Sequence, residues 1–277
     1  MHKYDTVKVK ISNYVAIVTL SRPEIHNAFN SLMIEELTTV FKLLENDEEV
    51  RIIILTGEGK SFSAGADVNY MRESKEFTYE ENEDDALKLE ELFYTIYKIP
   101  KPVIGRINGS AFGGGIGLIS VCDISLIVKN AKLAFSEVNL GILPAVISPY
   151  VISKIGFSNA TRFFLTGERF DGQKALDIGL VHEIAENLEE LDQKLSEIIS
   201  HLFSSSPAAM KSIKEVLNQN RGSELKSIRD YCIKKIAEVR TSDEGKEGLT
   251  AFVEKRSPRW KISSQSNLFK DLNIDEK

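Results

Sequence analysis

Three consecutive glycines, Gly113-Gly114-Gly115, stand between an apolar run ending at Ile107 and a second apolar stretch from Ile116 to Val121. No other stretch constrains the chain as strongly. A residue without Cβ takes backbone angles closed to other residues and lets another group approach its main chain. Where such residues open a helix, the first-turn N–H groups are left bare. The surroundings read as a strand at 103–107, a glycine-rich turn and helix at 109–120, a strand at 123–128 and a short extended segment at 133–135. Strand and helix in alternation place the chain in the α/β class. A dinucleotide fingerprint does not fit, because the G-x-G-x-x-G spacing fails and no acidic residue stands where a ribose would need one. Close helix packing is the other reading of a glycine triplet taken alone.

The flanking sequence extends this grammar. Val7, Val9 and Ile11 alternate with polar residues, pause at Ser12-Asn13, and resume at Val15, Ile17 and Leu20, the pattern of a β-hairpin. Ser31 is placed to cap a helix over 31–45, with Leu32, Leu37, Val40, Phe41 and Leu44 near one face. A buried strand is expected at 51–56. The run Ser61-Phe62-Ser63-Ala64-Gly65-Ala66-Asp67 is too poor in bulk to fill a core and reads as a loop that backbone or ligand approaches closely. Residues 73–91 are crowded with acid and read as a mobile, solvated stretch leading into a helix to 97, which Pro100 and Pro102 end. From Pro149 onward the pattern is helical apart from a possible strand at 180–184. The expected organisation is a core over 1–200, a helical region over 201–262 and a polar tail over 263–277.

Composition limits the partners. Hydrophobic residues make up 42% and charged residues 27%, the balance of a globular chain with a sizeable core. Thirty-five basic and 41 acidic residues give a net charge of −6, which disfavours phosphate backbones and hence nucleic acid. Cys122 and Cys232 have neither zinc-site spacing nor the number for a disulfide framework, and the four histidines show no ligand spacing. A reduced, cytoplasmic setting without a metal is expected. No apolar run approaches the ~18 residues of a membrane span, and the first residues lack a secretory pattern.

The string from Ile104 to Ile124, with Asn108-Gly109, the glycine triplet and Cys122-Asp123-Ile124, resembles the signature of the crotonase, or enoyl-CoA hydratase/isomerase, superfamily. The resemblance begins at Ser21-Arg22-Pro23 and Asn27-Ala28. It continues through Ser63-Ala64-Gly65-Ala66-Asp67, Ser136-Glu137-Val138-Asn139-Leu140-Gly141 and Leu165-Thr166-Gly167-Glu168, and reaches Glu247 to Arg256. It implies an α/β spiral of repeated ββα turns with a helical C-terminal trimerisation region, assembled as a homotrimer or a hexamer made of two trimers. It also implies an acyl-CoA thioester as substrate, with coenzyme A belonging to the substrate and no separate cofactor. The thioester oxygen would lie between the backbone N–H groups of Ala66 and Gly114, beside Ala64, Asp67 and Gly113. Two prepositioned donors stabilise a developing enolate, at ~3 kcal/mol for each donor in analogous holes.

Two-glutamate hydratases carry the first glutamate at the place of Gly117, and the second at the place of Glu137. By resemblance Glu137 is the single acid/base, and the bare Gly117 would open space for a branched acyl group of the methylglutaconyl-CoA type. Arg22 resembles a residue that helps bind the CoA phosphates, and Phe252 and Lys255 resemble C-terminal residues that reach the nucleotide end, often from a neighbouring subunit, while Asn69 stands where many hydratases carry lysine. A hydratase is the expected activity. A Δ3,Δ2-enoyl-CoA isomerase, which also needs one carboxylate, is the alternative, followed by a non-catalytic acyl-CoA-binding or RNA-associated relative.

Overall fold

The computed structural model describes residues 4–74, 76–220, 236, 238–239 and 242–261, with the side chains of 252 and 253 left out. The expectation for Phe252 and that for the tail over 263–277 therefore lie outside the described residues, as does much of the 201–262 region.

Strands β1 (Val7–Ser12) and β2 (Val15–Leu20) pair antiparallel from Val7↔Leu20 to Ser12↔Val15. The turn uses Asn13 and Tyr14, both at positive φ, the backbone that matches the twist of a two-residue hairpin. After helix α1 (Ser31–Asn46) come β3 (Ile52–Gly57) and β4 (Ser61–Ser63). Helices α2 (Val68–Ser74) and α3 (Tyr79–Lys98) lead to β5 (Val103–Ile107), β6 (Ser110–Phe112) and α4 (Gly114–Val121). The next turn holds β7 (Ile124–Val128), β8 (Lys132–Ala134), a 3-10 turn (Ser136–Leu140) and α5 (Ser148–Thr166), which is broken at Gly156. Strand β9 (Phe170–Asp171), α6 (Gly172–Asp177), β10 (Glu183–Ala185), α7 (Leu188–Phe203), α8 (Pro207–Asn220) and a helix at Asp243–Val253 complete the described elements.

The strands form two sheets, β1-β2-β3-β5-β7-β10 and β4-β6-β8-β9. From β3 to β8, each turn of the chain gives one strand to the first sheet and the next to the second before a helix returns it, and the last turn reverses the order, with β9 in the second sheet and, after α6, β10 in the first. The repeated ββα spiral follows, with parallel pairing of β3 to β5, β5 to β7, β4 to β6 and β6 to β8. Strands β3 and β5 are buried along their whole length, as expected where a parallel sheet is covered on both faces. The two-residue period splits their side chains. Ile53 and Leu55 join the core containing Phe41, Phe62 and Phe93, while Ile52, Ile54 and Ile104 pack against Leu191, Leu195 and Ile199 of α7. Arg106, 2% exposed in β5, donates from Nε and Nη2 to both carboxylate oxygens of Asp192 at 2.6 and 3.0 Å. That pair fastens α7 to the sheet.

Several elements depart from the sequence expectations. The cap of α1 is Asn30, whose side chain accepts from Met33 N at 2.9 Å, with Ser31 inside the helix. The acidic stretch is helical from Tyr79, because Thr78 and Glu81 form a reciprocal capping box. The glycine-rich turn contains β6. At the other end of the chain, Trp260 packs against Gly248 and its carbonyl accepts from Arg51 Nη1 at 2.9 Å, so the last described residues fold back onto the molecule. No helix among the described residues is long and apolar enough to cross a membrane.

Candidate active site

A pocket of about 250 Å³ lies between the 64–66 loop, the N-terminus of α4, the 3-10 turn and the 142–147 loop, with α2 and α3 forming its far wall. Its lining is mostly apolar, including Phe29, Ile34, Met71, Leu89 and Ile142. Glu137, Tyr70 and Asp85 interrupt it.

The two expected N–H donors are placed by backbone pairing. Phe29 and Ala66 form a parallel bridge in which Phe29 N donates to Gly65 O at 2.6 Å and Asp67 N donates to Phe29 O at 2.8 Å. These bonds flank Ala66, so its own N–H turns the other way and has no acceptor among the described residues. Gly65 makes the bend at φ +83, where a Cβ would stand 2.8 Å from Phe112 O. Gly113, at φ +48, precedes α4 and donates from its N–H to Ala134 O at 3.1 Å. Gly114 follows as the first helical residue, and its N–H likewise has no acceptor among the described residues. A Cβ on Gly114 would lie 2.7 Å from Phe29 Cε2. Phe29 thus joins the two segments that carry these N–H groups: its backbone bridges Ala66 and its ring lies on Gly114. Sequence reasoning missed it, although it follows the quoted Asn27-Ala28 directly.

Glu137 sits in the first turn of the 3-10 segment after β8, and Gly141, at φ +73, closes that segment. Its carboxylate lies over Gly113, where the position of an added Cβ is 2.9 Å from Oε1. Oε2 is buried and has no hydrogen-bond partner among the described residues. Burial raises the Glu137 pKa above the ordinary glutamate value, opposed by a hydrogen bond from its own backbone. A buried carboxyl with one idle oxygen, beside a helix start with an idle N–H, is suited to taking and returning a proton.

Three expectations fit the geometry less directly. The space beside Gly117 is filled: a Cβ there would stand 2.4 Å from Ile147 Cγ2 and 2.8 Å from Phe93 Cζ, and Gly117 does not line the pocket. Gly117 is a packing glycine, and the expected opening for a branched acyl group is absent at that place. Arg22 and Asp67 contact each other instead of lining the pocket. Arg22 Nη2 pairs with Asp67 Oδ2 at 2.8 Å and Nη1 donates to Ala28 O at 2.7 Å, while Asp67 Oδ1 accepts from Asn69 N. With side chains 17% and 10% exposed, the pair holds the Ala66 loop against the Ala28 segment. Lys255 is exposed just beyond the helix Asp243–Val253 and does not reach the pocket. Ala64 does line the pocket and fixes the loop by donating from its N–H to His26 O at 2.9 Å.

The structure adds a pair, one member of which, Asp85, falls in the stretch 73–91 that the sequence suggests is solvated. Tyr70 of α2 donates its hydroxyl to Asp85 Oδ1 of α3, and both side chains line the pocket. Desolvation raises the Asp85 pKa, with Lys88 opposing. The helical spacing of Asp85, Leu89, Leu92 and Ile96 along one face of α3 was the available signal. Among the described residues no cluster of three or more His, Cys, Asp or Glu could hold a metal ion. Cys122 is a buried core thiol whose Sγ lies 3.2 Å from Leu118 O.

The two-sheet spiral, with Ala66, Gly114 and a half-buried Glu137 lining one pocket, is the arrangement to compare with known proteins. The model of the enoyl-CoA hydratase/isomerase family matches residues 10–263. A Bacillus subtilis protein named probable enoyl-CoA hydratase is 35% identical over 262 residues, covering 93% of this chain and 99% of its own. The short-chain-enoyl-CoA hydratase of Clostridium acetobutylicum is 34% identical, covering 87% of this chain and 92% of its own. The crystal structure of an enoyl-CoA hydratase from Shewanella pealeana superimposes with a TM-score of 0.90 at 40% identity, covering 93% of this chain and 97% of that one. The chain belongs to the enoyl-CoA hydratase/isomerase, or crotonase, family.

Proposed function

We propose that this protein hydrates 2-enoyl-CoA thioesters, with Glu137 as its single acid/base. The observation that carries this reading is the idle, buried Glu137 Oε2 over Gly113, in the same pocket as the unpaired N–H groups of Ala66 and Gly114. The thioester oxygen accepts from both N–H groups, and coenzyme A enters as part of the substrate. The Glu137 carboxylate removes a proton from water as the water oxygen bonds to C3, and the π-electrons pass through C2 to the thioester oxygen. The enolate charge forms where the donors are fixed, in a pocket with mostly apolar walls. Glu137 then returns the proton to C2, so one carboxyl serves both halves of the addition.

A second reading, Δ3,Δ2-isomerisation, is favoured by the same single carboxylate, which would move a proton from C2 to C4 without adding water. Turnover of straight, branched and carboxylated 2- and 3-enoyl-CoAs, followed by product mass, separates them: hydration adds one water and isomerisation leaves the mass unchanged. The methylglutaconyl-type substrate enters that panel without support from space at Gly117. The proposed assembly is a homotrimer or hexamer, for which the exposed Ile213, Leu217 and Leu249 on the C-terminal helices provide apolar surface. Light scattering tests it.

A further inference from the structure

The acyl pocket contains a polar device that the hydration chemistry does not use. Asp85 stands on α3 one helical turn before Leu89, and both face the pocket. The Tyr70 hydroxyl occupies one lone pair of Oδ1. An ionised carboxylate offers about four acceptor positions, and a hydrocarbon chain packed against it would strip its water and supply nothing in return. The hydrogen bond joins α2 to α3, and both residues line the cavity.

The place of Asp85 along α3 sets it apart from the space beside Gly117. Phe93 occupies the space into which a first glutamate at position 117 would project. Asp85 is eight residues earlier on the same helix, and at 1.5 Å per residue its backbone is about 12 Å away along the axis. Asp85 is therefore two helical turns before Phe93, the residue whose ring fills the space beside Gly117. Tyr70, Met71 and Leu89 line the same pocket and offer walls for an acyl chain.

Building on the proposed acyl-CoA reading, we propose that Tyr70 and Asp85 form a specificity pair that selects acyl chains bearing a hydrogen-bond donor, such as a hydroxyl group, and rejects chains bearing a carboxylate. A chain hydroxyl would donate to the carboxylate and accept from nothing it displaces. A chain carboxylate would meet like charge in a desolvated wall. Tyr70 fixes the carboxylate orientation, so its loss weakens selection without removing the charge.

Equilibrium binding tests this independently of turnover. Saturated acyl-CoAs of four to eight carbons, each as the hydrocarbon, the chain-hydroxylated and the terminally carboxylated form, are titrated calorimetrically into the wild-type protein, Asp85→Leu and Tyr70→Phe. The wild type is expected to bind at least one hydroxylated chain about tenfold or more tighter than its hydrocarbon counterpart, and to bind carboxylated chains most weakly. Asp85→Leu should remove the hydroxyl preference and relieve the carboxylate penalty. Tyr70→Phe should reduce the preference several-fold, and serves as the test if the leucine variant does not fold. Unchanged chain selectivity in the folded variants would overturn the proposal. Failure of the wild type to bind any acyl-CoA would refute the underlying acyl-CoA reading, whereas binding without chain discrimination would refute the specificity pair alone.

Discussion

Replacing Gly117 by alanine should destabilise the protein although it puts a better helix former into α4. The propensity gain is about 1 kcal/mol. Against it, the added Cβ would stand 2.4 Å from Ile147 Cγ2 and 2.8 Å from Phe93 Cζ, where carbon atoms prefer about 3.5 to 4.0 Å. Opening more than 1 Å on the Ile147 side requires movement of side chains that are 3% and 0% exposed and already enclosed. Such overpacking costs about 1 to 3 kcal/mol, and the simultaneous clash with two buried neighbours argues for the upper end. The net loss is then about 2 kcal/mol, or a fall in Tm of about 4 to 8 °C for a chain of this size. Thermal melts followed by circular dichroism, at matched protein concentration, read it directly. Because Ile147 also lines the pocket, turnover should fall on straight and branched substrates alike. A variant as stable as the wild type would refute the packing reasoning, and a loss confined to branched chains would restore Gly117 as a substrate-shape residue.

Glu137→Gln should raise stability at neutral pH, read as a higher Tm at pH 8. The folded-state pKa of Glu137 is raised by burial, so its contribution is fully favourable below the ordinary glutamate value of about 4.3 and is lost as pH rises through the raised value. The advantage of glutamine should therefore shrink as the melts move toward pH 4. Gly113→Ala should lower kcat sharply, since the residue sits at φ +48 and its methyl would press within 2.9 Å of Glu137 Oε1; saturation kinetics at unchanged fold check it. Arg22→Met leaves Asp67 without its partner in a site where the pair is 17% and 10% exposed. The expected cost is about 3 kcal/mol, together with a fall in kcat from a loosened Ala66 loop, measured by denaturant melts and steady-state rates.

Local elements were legible where one period dominates. The hairpin, β3, β5 and β7 follow from apolar alternation or short apolar runs, and the glycine triplet marks the start of α4. The pairing of β4, β6, β8 and β9 was not legible, because three-residue and two-residue strands have too few positions to show a period. The acidic stretch misled because charge density was weighed above the Thr78–Glu81 capping signal. In the site, the Ala66 and Gly114 donors and Glu137 could be assigned only by family register, since backbone N–H groups leave no side-chain signature. The space at Gly117 was misread for a related reason. An absent side chain says nothing about which neighbour fills its place, and here Phe93 and Ile147 come from distant positions in the chain. Arg22 likewise looked like a phosphate ligand until its partner, 45 residues away, came into view.

The central claim is that Glu137 alone moves the proton while two backbone donors hold the thioester oxygen. Its most direct test is the rate at which crotonyl-CoA gains water, followed by loss of the conjugated thioester absorbance and by product mass, in the wild type and Glu137→Gln at saturating substrate. The expected result is a hydrated product from the wild type and a kcat about 100- to 10,000-fold lower in the variant, with affinity for a saturated acyl-CoA preserved. A variant that hydrates at the wild-type rate, or a wild-type product of unchanged mass, would contradict it.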